Sequence, residues 1–237
     1  MFGRLRAAMQ RLFTPPARLL LRWGVSPDAV TVAGTVVVSA LALSLLPTGH
    51  LLLGGVLIGL FALADSLDGV MARLSGRSGP WGAFLDSTLD RISDGAVFAG
   101  LTLWFVLHPQ TPFATWGTVA SLACLVLGSV VPYARARGES VGANAAVGIA
   151  ERTDRLVIAL VAVAFTQIGL PWVVSVSALS LLALASAITV VQRVLTVRTQ
   201  LLARAPGSAA APPSGPARPG DPARPGNPAR PADPTEA

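Results

Sequence analysis

Apolar residues in this chain come in long runs rather than at a fixed period. Blocks at roughly 26–46, 51–73, 82–107, 113–134, 155–170 and 172–192 are close to continuous Leu, Val, Ala, Ile and Gly, and polar residues gather between them. Each block approximates the about 17–25 residues that a helix needs to cross a bilayer core, the fifth being the shortest. A helix that is apolar all round belongs in a membrane or a large core. The pattern therefore predicts an all-α integral membrane protein with six transmembrane helices. Composition agrees: 52% hydrophobic and 13% charged residues over 237 positions, with a mean hydropathy of +0.62, fit neither an ordinary soluble domain nor a disordered chain.

The two ends depart from this pattern in different ways. In residues 1–22, Phe2, Leu5, Met9 and Leu12 recur at helical spacing while Arg4, Arg11 and Arg18 repeat every seven residues. This predicts an interfacial amphipathic helix, broken or kinked at Pro15-Pro16. A basic topogenic tail is the alternative; a signal peptide fits poorly, because Arg continues to Arg22 and no small-residue cleavage site follows a short apolar core. Between Pro216 and Asp233 the tail repeats Pro-Ala-Arg-Pro three times in six-residue units. Such a segment has almost nothing to bury, so 205–237 is predicted to be a disordered Pro/Ala/Arg-rich tail with polyproline character. The six-helix domain is left with 23–204.

Charge orients the predicted helices. All 18 basic residues are Arg, and Arg4 to Arg22, Arg73 and Arg77, Arg135 to Arg155, and Arg193 to Arg204 flank one side of the blocks. The connections at 47–50, 108–112 and 169–171 carry none. The positive-inside rule then places both termini in the cytoplasm, for a multi-pass protein of the cell (inner) membrane. The pI near 11.3 follows from this topology, so nucleic acid is not an expected partner. A single cysteine, Cys124, excludes a disulfide within the chain, and His50 and His108 sit at outer helix ends as interfacial residues.

Carboxylates change the picture most. The chain reads Asp65-Ser-Leu-Asp68-Gly69-Val-Met-Ala72-Arg73, then eight residues, then Gly82-Ala-Phe-Leu-Asp86-Ser-Thr-Leu-Asp90. An Asp at a membrane helix centre costs about 2.5–3.5 kcal/mol, so four imply about 10 kcal/mol that something must offset. Positions 65, 68 and 72 share one helix face, as do 86 and 90, with paired carboxylates roughly 4.5–6 Å apart along each axis. Two such faces suit one or two hard cations and the phosphoryl chemistry they support. Helix-packing ion pairs to Arg73, Arg77 and Arg91 are the alternative, which leaves the glycines unexplained. Asp94 continues the face of Asp86 and Asp90 by one turn, in a supporting or packing role.

A second polar group lies further on. Arg135, Arg137, Arg152, Arg155 and Arg193 all fall at predicted cytoplasmic helix ends. Five guanidinium groups suit an acceptor that bears a phosphate; the alternative is topology signals paired with Glu139, Glu151 and Asp154.

The spacing Asp-x2-Asp-Gly-x2-Ala-Arg-x8-Gly-x3-Asp-x3-Asp is matched at every position and resembles the signature of the CDP-alcohol phosphatidyltransferases. The resemblance covers about residues 1–200 and implies six helices around a cytoplasm-facing polar cavity. It implies displacement of CMP from a CDP-alcohol, usually CDP-diacylglycerol, by an acceptor hydroxyl with Mg2+, two ions being expected and Mn2+ an alternative. Asp65, Asp68, Asp86 and Asp90 would be the metal ligands, and Asp90 also the catalytic base. Gly69, Ala72, Arg73 and Gly82 would bind CDP-diacylglycerol, with Asp28 and Thr31 near the cytosine. A homodimer in contact with membrane lipid is also implied.

Arg-x-Arg, a Gly/Ala-rich loop, Glu-Arg-x-x-Arg and a late Gln-Arg are similar to the bacterial branch of this family that makes phosphatidylinositol phosphate. That likeness implies 1D-myo-inositol 3-phosphate as acceptor, held by Arg135, Arg137, Arg152, Arg155 and Arg193; Lys is common in that branch where Arg135 stands here. Glycerol 3-phosphate, giving phosphatidylglycerophosphate, is the rival acceptor. From other classes, a membrane prenyltransferase shares Asp-rich motifs and magnesium but fits the Gly69, Ala72, Arg73 and Gly82 spacing poorly, and a cation transporter could use intramembrane carboxylates. Release of CMP separates both from the transferase.

Overall fold

The computed structural model describes residues 13–64, 66–77, 79–149 and 152–204. Among them every regular element is helical: α1 (residues 13–22), α2 (Pro27–Leu45), α3 (Leu51–Ala64), α4 (Ser66–Leu74), α5 (Pro80–Leu107), α6 (Ala114–Ser140), α7 (Arg152–Ala164), a 3₁₀ turn (Phe165–Ile168) and α8 (Trp172–Ala203). This is what a lipid solvent demands, because a helix satisfies its own backbone donors and acceptors.

Four spans are long and apolar enough to cross a membrane: Pro27–Leu45, Leu51–Leu74, Ala114–Ser140 and Trp172–Ala203. The third and fifth expected blocks form helices that fall short of that measure. α5 carries Asp86, Asp90, Arg91 and Asp94 in its first half, and α7 is only 13 residues long before the chain tightens into the 3₁₀ turn. Large apolar side chains such as Val36, Leu60, Trp116, Val126 and Leu184 are exposed on α2, α3, α6 and α8, as lipid-facing residues are.

α5 lies between α2 and α6, α8 covers α6, and α3 and α7 pack on one another. The core is built on the second half of α5, where Val97, Phe98, Leu101 and Phe105 are at most 1% exposed. Trp104 stacks on Trp172 at 4.4 Å, closing that end against the start of α8. Glycine permits the close approaches: a Cβ on Gly100 would lie 2.4 Å from the Ala42 carbonyl oxygen, and one on Gly117 2.3 Å from the Phe105 ring. Small residues at such crossings are how membrane helices gain contact.

Among the described residues the backbone is helical across Pro15 and Pro16, so the chain is not broken there. Both prolines fall in the first turn of the described stretch, where a missing N–H removes no hydrogen bond among the described residues. Ala17 of α1 is fully buried in a small cluster with Val70 and Met71 of α4, while Arg18 and Arg22 are exposed. Phe2, Leu5, Met9, Leu12, Asp65, Glu151 and the repeat tail lie outside the described residues.

Candidate active site

The polar end of the molecule is organised by the starts of α2 and α5. Ser26 caps α2 by accepting from the Ala29 N–H at 3.2 Å, and Pro27 pre-sets the first turn. That fixes Thr31, whose hydroxyl donates to Asp68 Oδ2 at 2.6 Å and also lies 3.1 Å from the Pro27 carbonyl. The Gly69 N–H donates to the other oxygen, Asp68 Oδ1. Both carboxylate oxygens are thus aimed by neighbouring backbone and helix. Trp81 ties the two helix starts together, its indole N–H donating to Asp28 Oδ2 at 2.9 Å.

Asp68 lies within electrostatic reach of Asp86, on α5, and of Arg73, on its own helix. Asp65 is outside the described residues. The motif glycines are not packing glycines. A Cβ on Gly82 would meet nothing within 4 Å, and one on Gly69 only the Arg73 Nη1 at an ordinary 3.5 Å. Open space beside a glycine leaves room for a ligand to reach backbone. Ala72 is half-buried on the same helix.

Asp90 is held differently. Its Oδ1 is 2.8 Å from Arg152 Nη1 and its Oδ2 3.6 Å from Arg91 Nη2. Arg152 also donates through Nε to Asp94 Oδ1 at 2.9 Å, bridging two carboxylates one helical turn apart. A half-buried carboxylate needs a partner, and here it is a guanidinium. Among the described residues no three His, Cys, Asp or Glu side chains lie close enough to share a metal. The donor set still fits a hard divalent cation, because Asp68 and Asp86 offer oxygen only.

The five expected acceptor arginines divide. Arg193 lies within electrostatic reach of Arg135 and Arg155, and Arg155 within reach of Arg152 and Arg91. Four of the five, from α6, α7 and α8, therefore form one run of like charge. Arg155 is 2% exposed, and its Nε and Nη1 make no hydrogen bond among the described residues. Arg193 donates to the carbonyls of Val147 and Val131. Arg135 forms an exposed pair with Glu139 at 2.8 Å, four residues along α6, so here the surface-ion-pair alternative holds in part. Among the described residues Arg137 donates to Ser140 at 3.3 Å and stands apart from the other four.

Several residues with a role in shaping this end carried no sequence signal. The loop 141–149 is strapped to α8: Gln200 exchanges hydrogen bonds with the backbone of Asn144 at 2.8 Å, Arg204 donates to the Gly142 carbonyl at 2.6 Å, and Thr189 accepts from Ile149 N–H at 3.2 Å. Beside the ion pairs lies a cavity of about 360 Å³ between α2, α3, α5 and α7. Its walls are apolar, including Val38, Ile58 and Leu160, and Ser93, Asp94, Arg152 and Thr153 give it a polar end.

A membrane helix bundle with clustered carboxylates, unshielded glycines and a run of arginines is the construction of an enzyme that handles phosphates at a membrane surface. The chain belongs to the CDP-alcohol phosphatidyltransferase family, whose model matches residues 24–191. It is 46% identical over 197 residues to the phosphatidylinositol phosphate synthase of Streptomyces avermitilis, covering 81% of this chain and 80% of that one. The enzyme of the same name from Mycolicibacterium smegmatis is 45% identical over 192 residues, covering 80% and 85%. The fold is similar to the crystal structure of Mycobacterium tuberculosis phosphatidylinositol phosphate synthase with CDP-DAG bound, with a TM-score of 0.75 and 44% identity over 80% of this chain and 94% of that one. The same enzyme in complex with manganese and citrate gives a TM-score of 0.74 at 44% identity, covering 79% and 89%.

Proposed function

We propose that this protein transfers the phosphatidyl group of CDP-diacylglycerol to a hydroxyl of 1D-myo-inositol 3-phosphate, giving phosphatidylinositol phosphate and CMP. The observation that carries the acceptor is the run of Arg135, Arg193, Arg155 and Arg152 beside Asp90. Guanidinium groups gathered in one place repel one another unless an anion joins them, and a phosphate monoester matches their donor geometry. The name shared by the relatives supports the same acceptor.

In the transfer, an acceptor oxygen forms a bond to the phosphorus that carries diacylglycerol, the bond from that phosphorus to CMP breaks, and the hydroxyl proton goes to an Asp90 oxygen. Arg73 donates to the diphosphate, and Gly69, Ala72 and Gly82 leave room for the nucleotide. Asp28 and Thr31, at the start of α2, stand at the cytosine side, where Trp81 fixes Asp28 and Thr31 aims Asp68. Mg2+, or the Mn2+ seen with the M. tuberculosis relative, would be held by Asp65, Asp68, Asp86 and Asp90, two ions being expected, and supplies positive charge against the diphosphate. Asp90 joins that set only when Arg152 turns aside.

The site faces the cytoplasm in this reading, with six helices in the inner membrane, both termini cytoplasmic and residues 1–22 at the interface. Exclusion of Arg from the opposite connections supports it. Acyl chains enter laterally from lipid, 205–237 is a disordered tail, and the enzyme works as a homodimer.

The test uses the purified full chain in detergent with magnesium, CDP-diacylglycerol and one acceptor at a time. Phosphatidylinositol phosphate, identified by mass together with CMP, is the expected product. Phosphatidylglycerophosphate would move the acceptor to glycerol 3-phosphate, and no CMP with either acceptor would overturn the reading.

A further inference from the structure

We propose that Asp94, outside the carboxylate motif, is the positioning residue of the acceptor pocket: one buried carboxylate that holds Arg152, beside Arg155, in place to receive the acceptor's phosphate. The inference rests on the reading of those arginines given under Proposed function.

Asp94 is 4% exposed, one turn beyond Asp90 on α5, in a segment that is otherwise turning apolar. A carboxylate there is stable only if its charge is matched. The match comes from α7, where Arg152 and Arg155 share a face three residues apart. Arg152 Nε donates to Asp94 Oδ1 at 2.9 Å, and Asp94 is the acidic neighbour that offsets the charge of Arg155. A helix-packing pair would use up its donors and acceptors on each other. Here Asp94 Oδ2 and Arg155 Nε and Nη1 are all buried and make no hydrogen bond among the described residues. The Arg152 guanidinium beside them is the one that Asp94 holds by a direct hydrogen bond.

The double grip on Arg152 gives Asp94 its particular role. Arg152 spans Asp90 through Nη1 and Asp94 through Nε. When Asp90 turns to the acceptor hydroxyl or to a cation, the hold through Asp94 keeps the guanidinium in the pocket instead of releasing it to the cytoplasm. Asp94 and Arg152 together line the polar end of the 360 Å³ cavity, whose other walls are largely apolar.

The experiment measures saturation by inositol phosphate and by CDP-diacylglycerol separately, for Asp94→Asn, Arg152→Gln and the double variant of the full-length enzyme. Asn preserves shape and an acceptor for Arg152 Nε while removing the charge. The KM for inositol phosphate should rise about tenfold in Asp94→Asn, the scale of one charge-assisted hydrogen bond. The KM for CDP-diacylglycerol should move by no more than about twofold, and the double variant should be no worse than Arg152→Gln alone, because one residue acts through the other. Asp94→Glu keeps the charge but displaces it, so it tests the same point if Asp94→Asn does not fold, with the same acceptor-specific rise expected. Equal rises in both KM values, or full additivity in the double variant, overturn the inference. If Arg152→Gln weakens acceptor saturation and Asp94→Asn does not, this inference alone falls; if Arg152→Gln has no effect, the acceptor pocket falls with it.

Discussion

The first half of α5 presents Trp81, Phe84 and Asp86 to the surroundings and keeps Asp90 half-buried, whereas its second half buries Phe98, Leu101, Trp104 and Phe105 against α2, α6 and α8. The glycines on either side of that divide differ in the same way. Gly100 and Gly117 sit where a methyl group would strike a neighbour, and Gly82 sits where it would strike nothing. One end of the helix is shaped by packing and the other is left open. The ion pairs of Asp90 and Asp94 with Arg152 mark the boundary, at the depth where polar side chains still find partners.

The sharpest way to break this division is to alter a carboxylate at the open end. Asp68→Asn or Asp86→Asn should lower turnover by on the order of a thousandfold, since charge stabilisation is typically the largest catalytic contribution. Thermal unfolding should stay at the wild-type temperature, because neither residue supports the core. CMP release near wild type would remove these residues from the chemistry.

Asp90→Asn should reduce kcat by about a hundredfold or more while CDP-diacylglycerol binding holds, as expected of a general base. Equal losses in kcat and in binding would leave Asp90 only a ligand or a pairing partner.

Smaller effects grade the arginines. Arg155→Gln should raise the KM for inositol phosphate ten- to a hundredfold, about 1.5–3 kcal/mol of charge-assisted hydrogen bonding. Arg193→Gln should do the same and also lower the melting temperature, since its donors hold the carbonyls of Val131 and Val147. Arg135→Gln should have a weaker effect, because its exposed pair with Glu139 is already screened by water. Wild-type acceptor saturation in all three would reduce them to topology signals.

The glycine contrast supplies the smallest effect and the most specific one. Gly117→Ala should destabilise the folded protein by about 1–3 kcal/mol, the usual cost of overpacking, with the activity of the folded fraction retained. Gly82→Ala should show the reverse, a normal unfolding transition with weakened CDP-diacylglycerol saturation. Matching outcomes for the two would erase the distinction between the ends of α5.

The sequence made the helices legible because apolar runs of membrane length have few alternatives, and Asp68 and Asp86 fall on separate helices, α4 and α5, within electrostatic reach of one another. It underestimated where α6 and α8 stop. Their apolar blocks end near 134 and 192, but the helices run on to Ser140 and Ala203. Hydropathy falls there while Arg, Gln and Leu keep helix propensity, and the strap from Gln200 and Arg204 gives the extension something to hold. The partner of Asp90 was out of reach for another reason. Arg152 is 62 residues away on a separate helix, and its pairing depends on how α7 is set against α5, which no local pattern encodes. The same holds for Trp81 on Asp28 and for Arg193 on backbone carbonyls.

The central claim, that the open end of α5 exists to hold charge from outside the chain, is tested most directly by titrating Mn2+ into the detergent-purified protein with CDP-diacylglycerol present and counting bound ions by electron paramagnetic resonance. The wild-type protein should bind Mn2+ saturably, and Asp68→Asn and Asp86→Asn should each lose that binding while unfolding at the wild-type temperature. Unchanged Mn2+ binding in both folded variants would contradict the account and return the carboxylates to a packing role.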